Sequence, residues 1–205
     1  MKKLIVSLEI KLRILRNKLV EKKQYNAWLK KGKPLPPPHL VKQNLLKSYK
    51  DKHKLNILIE TGTYLGDMVY AQRNNFNSIY SIEIQSFLYE AAKRRFKNFK
   101  HINILKGDSG KVLNEIMPKI NEPALIWLDG HYSGGITGKS DINCPIYSEL
   151  GAIFSTPNDN VILIDDANCF DGTNDYPTYE NLEKFLKKYN YKTAIYNNAI
   201  VCEKL

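Results

Sequence analysis

From residue 55 to the end of the chain, short apolar runs rich in Ile and Val alternate with helical patterns, and nothing else in the sequence restricts the fold as much. Strands are predicted over residues 55–59, 78–84, 102–105, 124–128 and 161–164. Helices are predicted near residues 67–75, 86–99, 111–120 and 145–154. Continuous apolar strands separated by helices form a parallel sheet covered on both faces. A last helix, about residues 179–189, precedes two short strands over 191–196 and 199–203 that are joined by Asn197 and Asn198. Adjacent asparagines tolerate the positive φ that a two-residue hairpin turn demands, so the sheet ends in an antiparallel pair.

The part before residue 55 is different in kind. The chain of 205 residues carries a formal charge of +10. Residues 1–54 hold sixteen Lys or Arg against three Asp or Glu, so the remainder is slightly acidic. Leu4, Leu8, Leu12, Leu15 and Leu19 recur at helical spacing beside a basic face, which predicts an amphipathic helix. Such a helix packs on the following domain or on its copy in a homodimer, lies against an anionic membrane surface, or steers a phosphorylated substrate. Residues 30–39, KKGKPLPPPH, must be extended, because consecutive prolines fix φ and lack amide donors. We therefore divide the chain into a basic arm with its connector, residues 1–40, and an α/β domain, residues 41–205.

Cys144, Cys169 and Cys202 are odd in number and lack paired zinc-site spacings, so they read as reduced thiols. The longest apolar runs are far too short to span a membrane, and no signal peptide is recognisable at the N-terminus. The expected location is the cytoplasm, at most peripheral to the inner face of the membrane.

In an open parallel sheet, ligands bind beyond the carboxyl ends of the strands where strand order reverses. The first strand runs into Glu60-Thr61-Gly62-Thr63-Tyr64-Leu65-Gly66, an E-x-G-x-x-x-G turn whose spacing differs from a dinucleotide-binding G-x-G-x-x-G. An acidic residue at its start suits a cationic amino-acid group better than phosphate. The second strand delivers Glu83, where a carboxylate can accept both hydroxyl protons of a ribose. The third is followed by Gly107, Asp108 and Ser109, placed for an adenine amine. With this turn, this Glu and this Gly-Asp-Ser, the chain resembles the class I S-adenosylmethionine-dependent methyltransferases over about residues 55–205. The resemblance implies a Rossmann-like, seven-stranded, mostly parallel sheet with helices on both faces. It also implies S-adenosylmethionine held by Glu60, Thr61, Gly62, Thr63, Tyr64, Gly66, Glu83, Asp108, Ser109 and Asp129.

A second constellation lies at the fourth and fifth strand ends, which deliver Asp129 and the pair Asp165-Asp166. Carboxylates this close repel unless a cation or proton joins them, and hard oxygens select Mg²⁺ or Mn²⁺. The pattern is similar to the metal-dependent small-molecule O-methyltransferases of the catechol and macrolide or sugar type. That similarity implies a divalent ion on Asp129, Asp165 and Asp166 that orients an acceptor hydroxyl. His131, two residues beyond Asp129, is the expected general base, with Asp129 as the other candidate. The expected acceptor is a small polar molecule, such as a sugar or a phosphorylated metabolite.

Two local motifs point elsewhere and fail. Residues 134–140, GGITGKS, lack the spacing and the following helix of a phosphate-binding P-loop. Residues 143–147, NCPIY, sit too far past the fourth strand for the tetrapeptide of DNA amino-methyltransferases. The rival readings are a nucleic-acid methyltransferase that uses the basic arm, and a methyltransferase-like assembly protein without activity. No RNA-binding module or aromatic stacking platform supports the first.

Overall fold

The computed structural model describes residues 18–130 and 144–205. Leu4, Leu8, Leu12, Leu15, His131 and the loop with its P-loop-like stretch lie outside the described residues. Seven strands, β1 (Ile57–Thr61), β2 (Ser78–Glu83), β3 (Ile102–Lys106), β4 (Ala124–Leu128), β5 (Val161–Ile164), β6 (Tyr191–Tyr196) and β7 (Ala199–Lys204), form one sheet in the order β3-β2-β1-β4-β5-β7-β6. β1 to β5 are parallel, and β7 pairs antiparallel with β5 and β6. The turn between β6 and β7 places Asn197 and Asn198 at φ of 49° and 68°, the pair of positive angles expected for that dipeptide.

Helices α1 (Lys18–Lys30), α2 (His39–His53), α3 (Asp67–Gln72), α4 (Ser86–Phe96), α5 (Ser109–Ile116), α6 (Ile146–Phe154) and α7 (Tyr179–Lys187) accompany the sheet. Side chains alternate across each strand, so each strand supplies both cores. Ile59, Ile126, Leu128 and Ile164 face a layer built with Leu113, Leu150 and Leu186 of α5, α6 and α7. Leu58, Trp127 and Leu163 face the opposite layer, built with Leu46, Val69 and Phe96 of α2, α3 and α4. Trp127 is fully buried there. Two elements depart from expectation. β1 begins and ends two residues later than predicted, because Glu60 and Thr61 pair with both β2 and β4 and so belong to the sheet rather than to the turn. α2 was not anticipated at all, although Val41, Leu45 and Tyr49 recur at i+4 immediately after Pro38. Among the described residues, no helix is long and apolar enough to cross a membrane.

Candidate functional site

Strand order reverses between β1 and β4, and the carboxyl ends on either side of that point are level. Asp129 N donates to Thr61 O at 3.2 Å, Asp165 N to Leu128 O at 3.0 Å and Gly107 N to Glu83 O at 3.1 Å. The residues following β3, β2, β1, β4 and β5 therefore open onto one crevice, where a ligand of an open α/β sheet is expected.

The turn after β1 is shaped by its neighbours. Gly62 N and Thr63 N donate to Ile82 O at 3.0 and 3.1 Å, and Gly66 N closes the turn on Thr63 O at 2.8 Å. Gly62 has φ of 83°, and a Cβ there would lie 2.2 Å from the backbone oxygen of Asp129. Glycine is thus required both by conformation and by the passage of the β4 terminus against the turn. Gly66 closes the turn before α3, where a Cβ would meet the Phe96 ring at 2.7 Å.

Glu83 is 4% exposed and locked in place. One carboxylate oxygen accepts from Tyr64 N at 2.8 Å and the other from Gln85 N at 2.7 Å. Burial pushes its pKa above the ordinary value, against the pull of these two backbone donors. Each oxygen keeps a second lone pair, so the carboxylate can still accept from two vicinal hydroxyls. Glu60 is buried and accepts from Ser81 Oγ, which in turn meets Thr63 Oγ1 at 2.7 Å. Burial pushes its carboxyl up to about 8, Ser81 opposes this, and the nearby Asp129, Glu83 and Asp67 add to it. Asp108 Oδ1 caps α5 by accepting from Lys111 N at 3.2 Å, and Ser109 begins that helix. The structure thus brings Glu60, Thr61, Gly62, Thr63, Tyr64, Gly66 and Glu83 together around the turn, with Asp108 and Ser109 at the neighbouring strand end.

The acidic residues after β4 and β5 are also brought near one another, but a cation already lies among them. Lys42 of α2 donates to Asp165 Oδ2 and lies 3.6 Å from Asp166 Oδ1. Burial alone would lower the Lys42 pKa. Asp165, Asp129 and Asp166 together outweigh that and raise it, so the side chain is an ammonium. Asp165 is 1% exposed, and its other oxygen accepts from Asp166 N at 2.8 Å. Asp166 adopts φ of 51°, and its Oδ1 accepts from Asn198 Nδ2 at 3.3 Å, which ties this strand end to the β6–β7 turn. Among the described residues, no group of three or more His, Cys, Asp or Glu side chains is arranged to hold a metal ion. The ammonium of Lys42 stands beside Asp165 and Asp166, where the divalent ion was expected. Lys42 was missed in the sequence because its helix was missed.

On the other face of the sheet, a small pocket at the ends of β4 and β5 is lined by Leu128, Gly130, Cys144, Ile164, Phe170 and Tyr176. Burial raises the Cys144 thiol to about 11, so it stays protonated and contributes apolar surface.

No protein-family model and no curated protein sequence matches the chain. Solved structures do. A putative caffeoyl-CoA O-methyltransferase from Staphylococcus aureus superposes with a TM-score of 0.57 at 13% identity, over 98% of this chain and 100% of that one. An O-methyltransferase from Bacillus cereus in complex with SAH gives 0.57 at 13% identity, over 90% of each chain. TomG from Streptomyces achromogenes, an O-methyltransferase involved in tomaymycin synthesis and bound to SAM, gives 0.57 at 12% identity, over 90% of this chain and 89% of its own. The chain has the fold of the S-adenosylmethionine-dependent methyltransferases. Its architecture is similar to that of these O-methyltransferases.

Proposed function

We propose that this protein is an S-adenosylmethionine-dependent methyltransferase that methylates a hydroxyl of a small polar molecule, such as a sugar or a phosphorylated metabolite. The observation that carries the reading is Glu83, buried at the end of β2 and held by Tyr64 N and Gln85 N beside the Gly62 turn, facing the crevice where strand order reverses. S-adenosylmethionine, when bound, supplies an electrophilic methyl group on a sulfonium sulfur. Glu83 would accept the two ribose hydroxyls, the turn would pass close to the amino-acid end of the donor, and Asp108 or Ser109 would meet the adenine. Asp129 lies between this site and the end of β5, where it would hold an acceptor hydroxyl beside the donor. Asp129 or His131 would take the proton of that hydroxyl, which prepares its oxygen to receive the methyl group the donor supplies. No step here depends on a metal.

Glu83→Ala removes a charged acceptor, so donor binding should weaken by ~1.5–3 kcal/mol. Calorimetric titration with S-adenosylhomocysteine checks this, and Glu83→Gln, which keeps one acceptor oxygen, should fall between the alanine variant and the wild type. Unchanged affinity in folded Glu83→Ala would remove the assignment. Residues 1–40 form the arm in this reading. Deletion of residues 1–30 should leave the affinity for S-adenosylhomocysteine unchanged. A collapse of binding would make α1 part of the catalytic domain.

A further inference from the structure

We propose that the ammonium of Lys42 is the resident cation of the acidic site at the ends of β4 and β5, taking the place of a divalent ion and presenting an N–H to the acceptor oxygen. Asp165 and Asp166 bring two carboxylates to the end of β5, with Asp129 at the end of β4 near enough to act on Lys42, and like charges that close need a counter-charge. α2 supplies it from the same face of the sheet. Val41, Leu45 and Leu46 anchor this helix in the layer that also holds Trp127 and Leu163, and the side chains of Asp129 and Asp165 continue the alternation of those two residues. Lys42 bonds Asp165 Oδ2 and pairs with Asp166 Oδ1, which also accepts from Asn198 Nδ2, while Asp166 N donates to Asp165 Oδ1. Mg²⁺ needs bare oxygens at about 2.0–2.1 Å in octahedral array, and Mn²⁺ shares its preference for hard oxygen ligands. Such an ion would have to occupy the space that Nζ fills.

The lysine also has capacity left for a ligand. An ammonium carries three donors, of which Asp165 takes one and Asp166 lies at ion-pair distance. The Lys42 side chain is 18% exposed and that of Asp166 30%, so this corner of the site opens outward while Asp165 is sealed beneath it. A third N–H directed to an acceptor hydroxyl would fix that oxygen beside Asp129. A lysine held this way provides one positive charge of fixed position, which a chelator cannot remove.

The role at the acceptor rests on the methyltransferase reading, whereas the identity of the cation does not. The test uses Mn²⁺ alone as probe on the full chain. Melting curves and Mn²⁺ electron paramagnetic resonance would be recorded for wild type, Lys42→Ala and Lys42→Arg. Wild type and Lys42→Arg should retain no Mn²⁺ and show no rise in Tm at millimolar Mn²⁺. Lys42→Ala removes the ammonium from beside Asp165 and Asp166, so Mn²⁺ should bind it at least tenfold more tightly than wild type and raise its Tm. Stoichiometric Mn²⁺ on the wild type, with a rise in Tm like that of Lys42→Ala, would overturn the proposal. If Lys42→Ala does not fold, the wild type and Lys42→Arg still decide, because Mn²⁺ binding to either is incompatible with a resident ammonium. Titration of the same wild-type sample with S-adenosylhomocysteine separates the two readings. Absence of binding there removes the methyltransferase function and leaves the Mn²⁺ result standing.

Discussion

Gly62→Ala should lower the unfolding free energy by about 2–5 kcal/mol and abolish measurable donor binding. Two costs add at this position. The backbone sits at φ of 83°, where an L-residue with a side chain pays ~1–2 kcal/mol. The new Cβ would lie 2.2 Å from Asp129 O and 2.9 Å from Asp129 C, and overpacking of this kind costs ~1–3 kcal/mol. The obstacle is backbone rather than the end of a flexible side chain, so no rotamer change relieves it. Either the turn or the β4 terminus must move, and both line the crevice. Gly151→Ala is the control, because that glycine is exposed within α6 and a Cβ there meets nothing within 4 Å. It should be neutral, or stabilising by about 0.5–1 kcal/mol through helix propensity. Urea unfolding of the two variants measures the contrast, and equal midpoints would contradict the close approach of β4 to the turn.

Glu60 should make both stability and donor binding depend on pH. Its carboxyl rises from an ordinary 4.5 to about 8 in the folded protein, chiefly because it is buried. A raised carboxyl pKa means that the native state holds a proton which the unfolded state releases. Its stabilising contribution is therefore complete below about pH 4.5 and is lost as pH rises through about 8. The loss is on the order of 5 kcal/mol, taking 1.36 kcal/mol per unit. Donor binding should run the opposite way. A cationic amino-acid group near Glu60 favours the carboxylate, so binding below about pH 8 expels the proton. Affinity should then climb with pH by up to about tenfold per unit and level off above that value. Glu60→Gln carries no titrating proton, and both slopes should flatten in it. Thermal melts and calorimetry across the pH range test this together. A wild-type affinity that does not change with pH, or a slope that survives in Glu60→Gln, would separate Glu60 from the donor.

The strand ladder was legible in the sequence because each core strand is buried on both faces. Ala124–Leu128 and Val161–Ile164 lie where the apolar runs predict, and Asn197 and Asn198 take the positive φ that their side chains tolerate. The glycine turn was legible for a related reason, since Gly62 and Gly66 answer a local conformational demand. By contrast, α2 resembles a solvated basic segment, with four lysines and a histidine at each end among its fifteen residues. Nothing local distinguishes Lys42 from its neighbours. Its ammonium meets Asp165 across 123 positions of sequence, and that meeting exists only because α2 packs along the sheet face that carries Asp165 beyond Leu163. The protonation of Glu60 is likewise a tertiary property, because desolvation depends on what covers a carboxyl and not on its place in the motif. The residue types of the site can be read along the chain. Which charges meet, and which of them are shielded from water, was decided only when the helix before β1 closed over the strand ends.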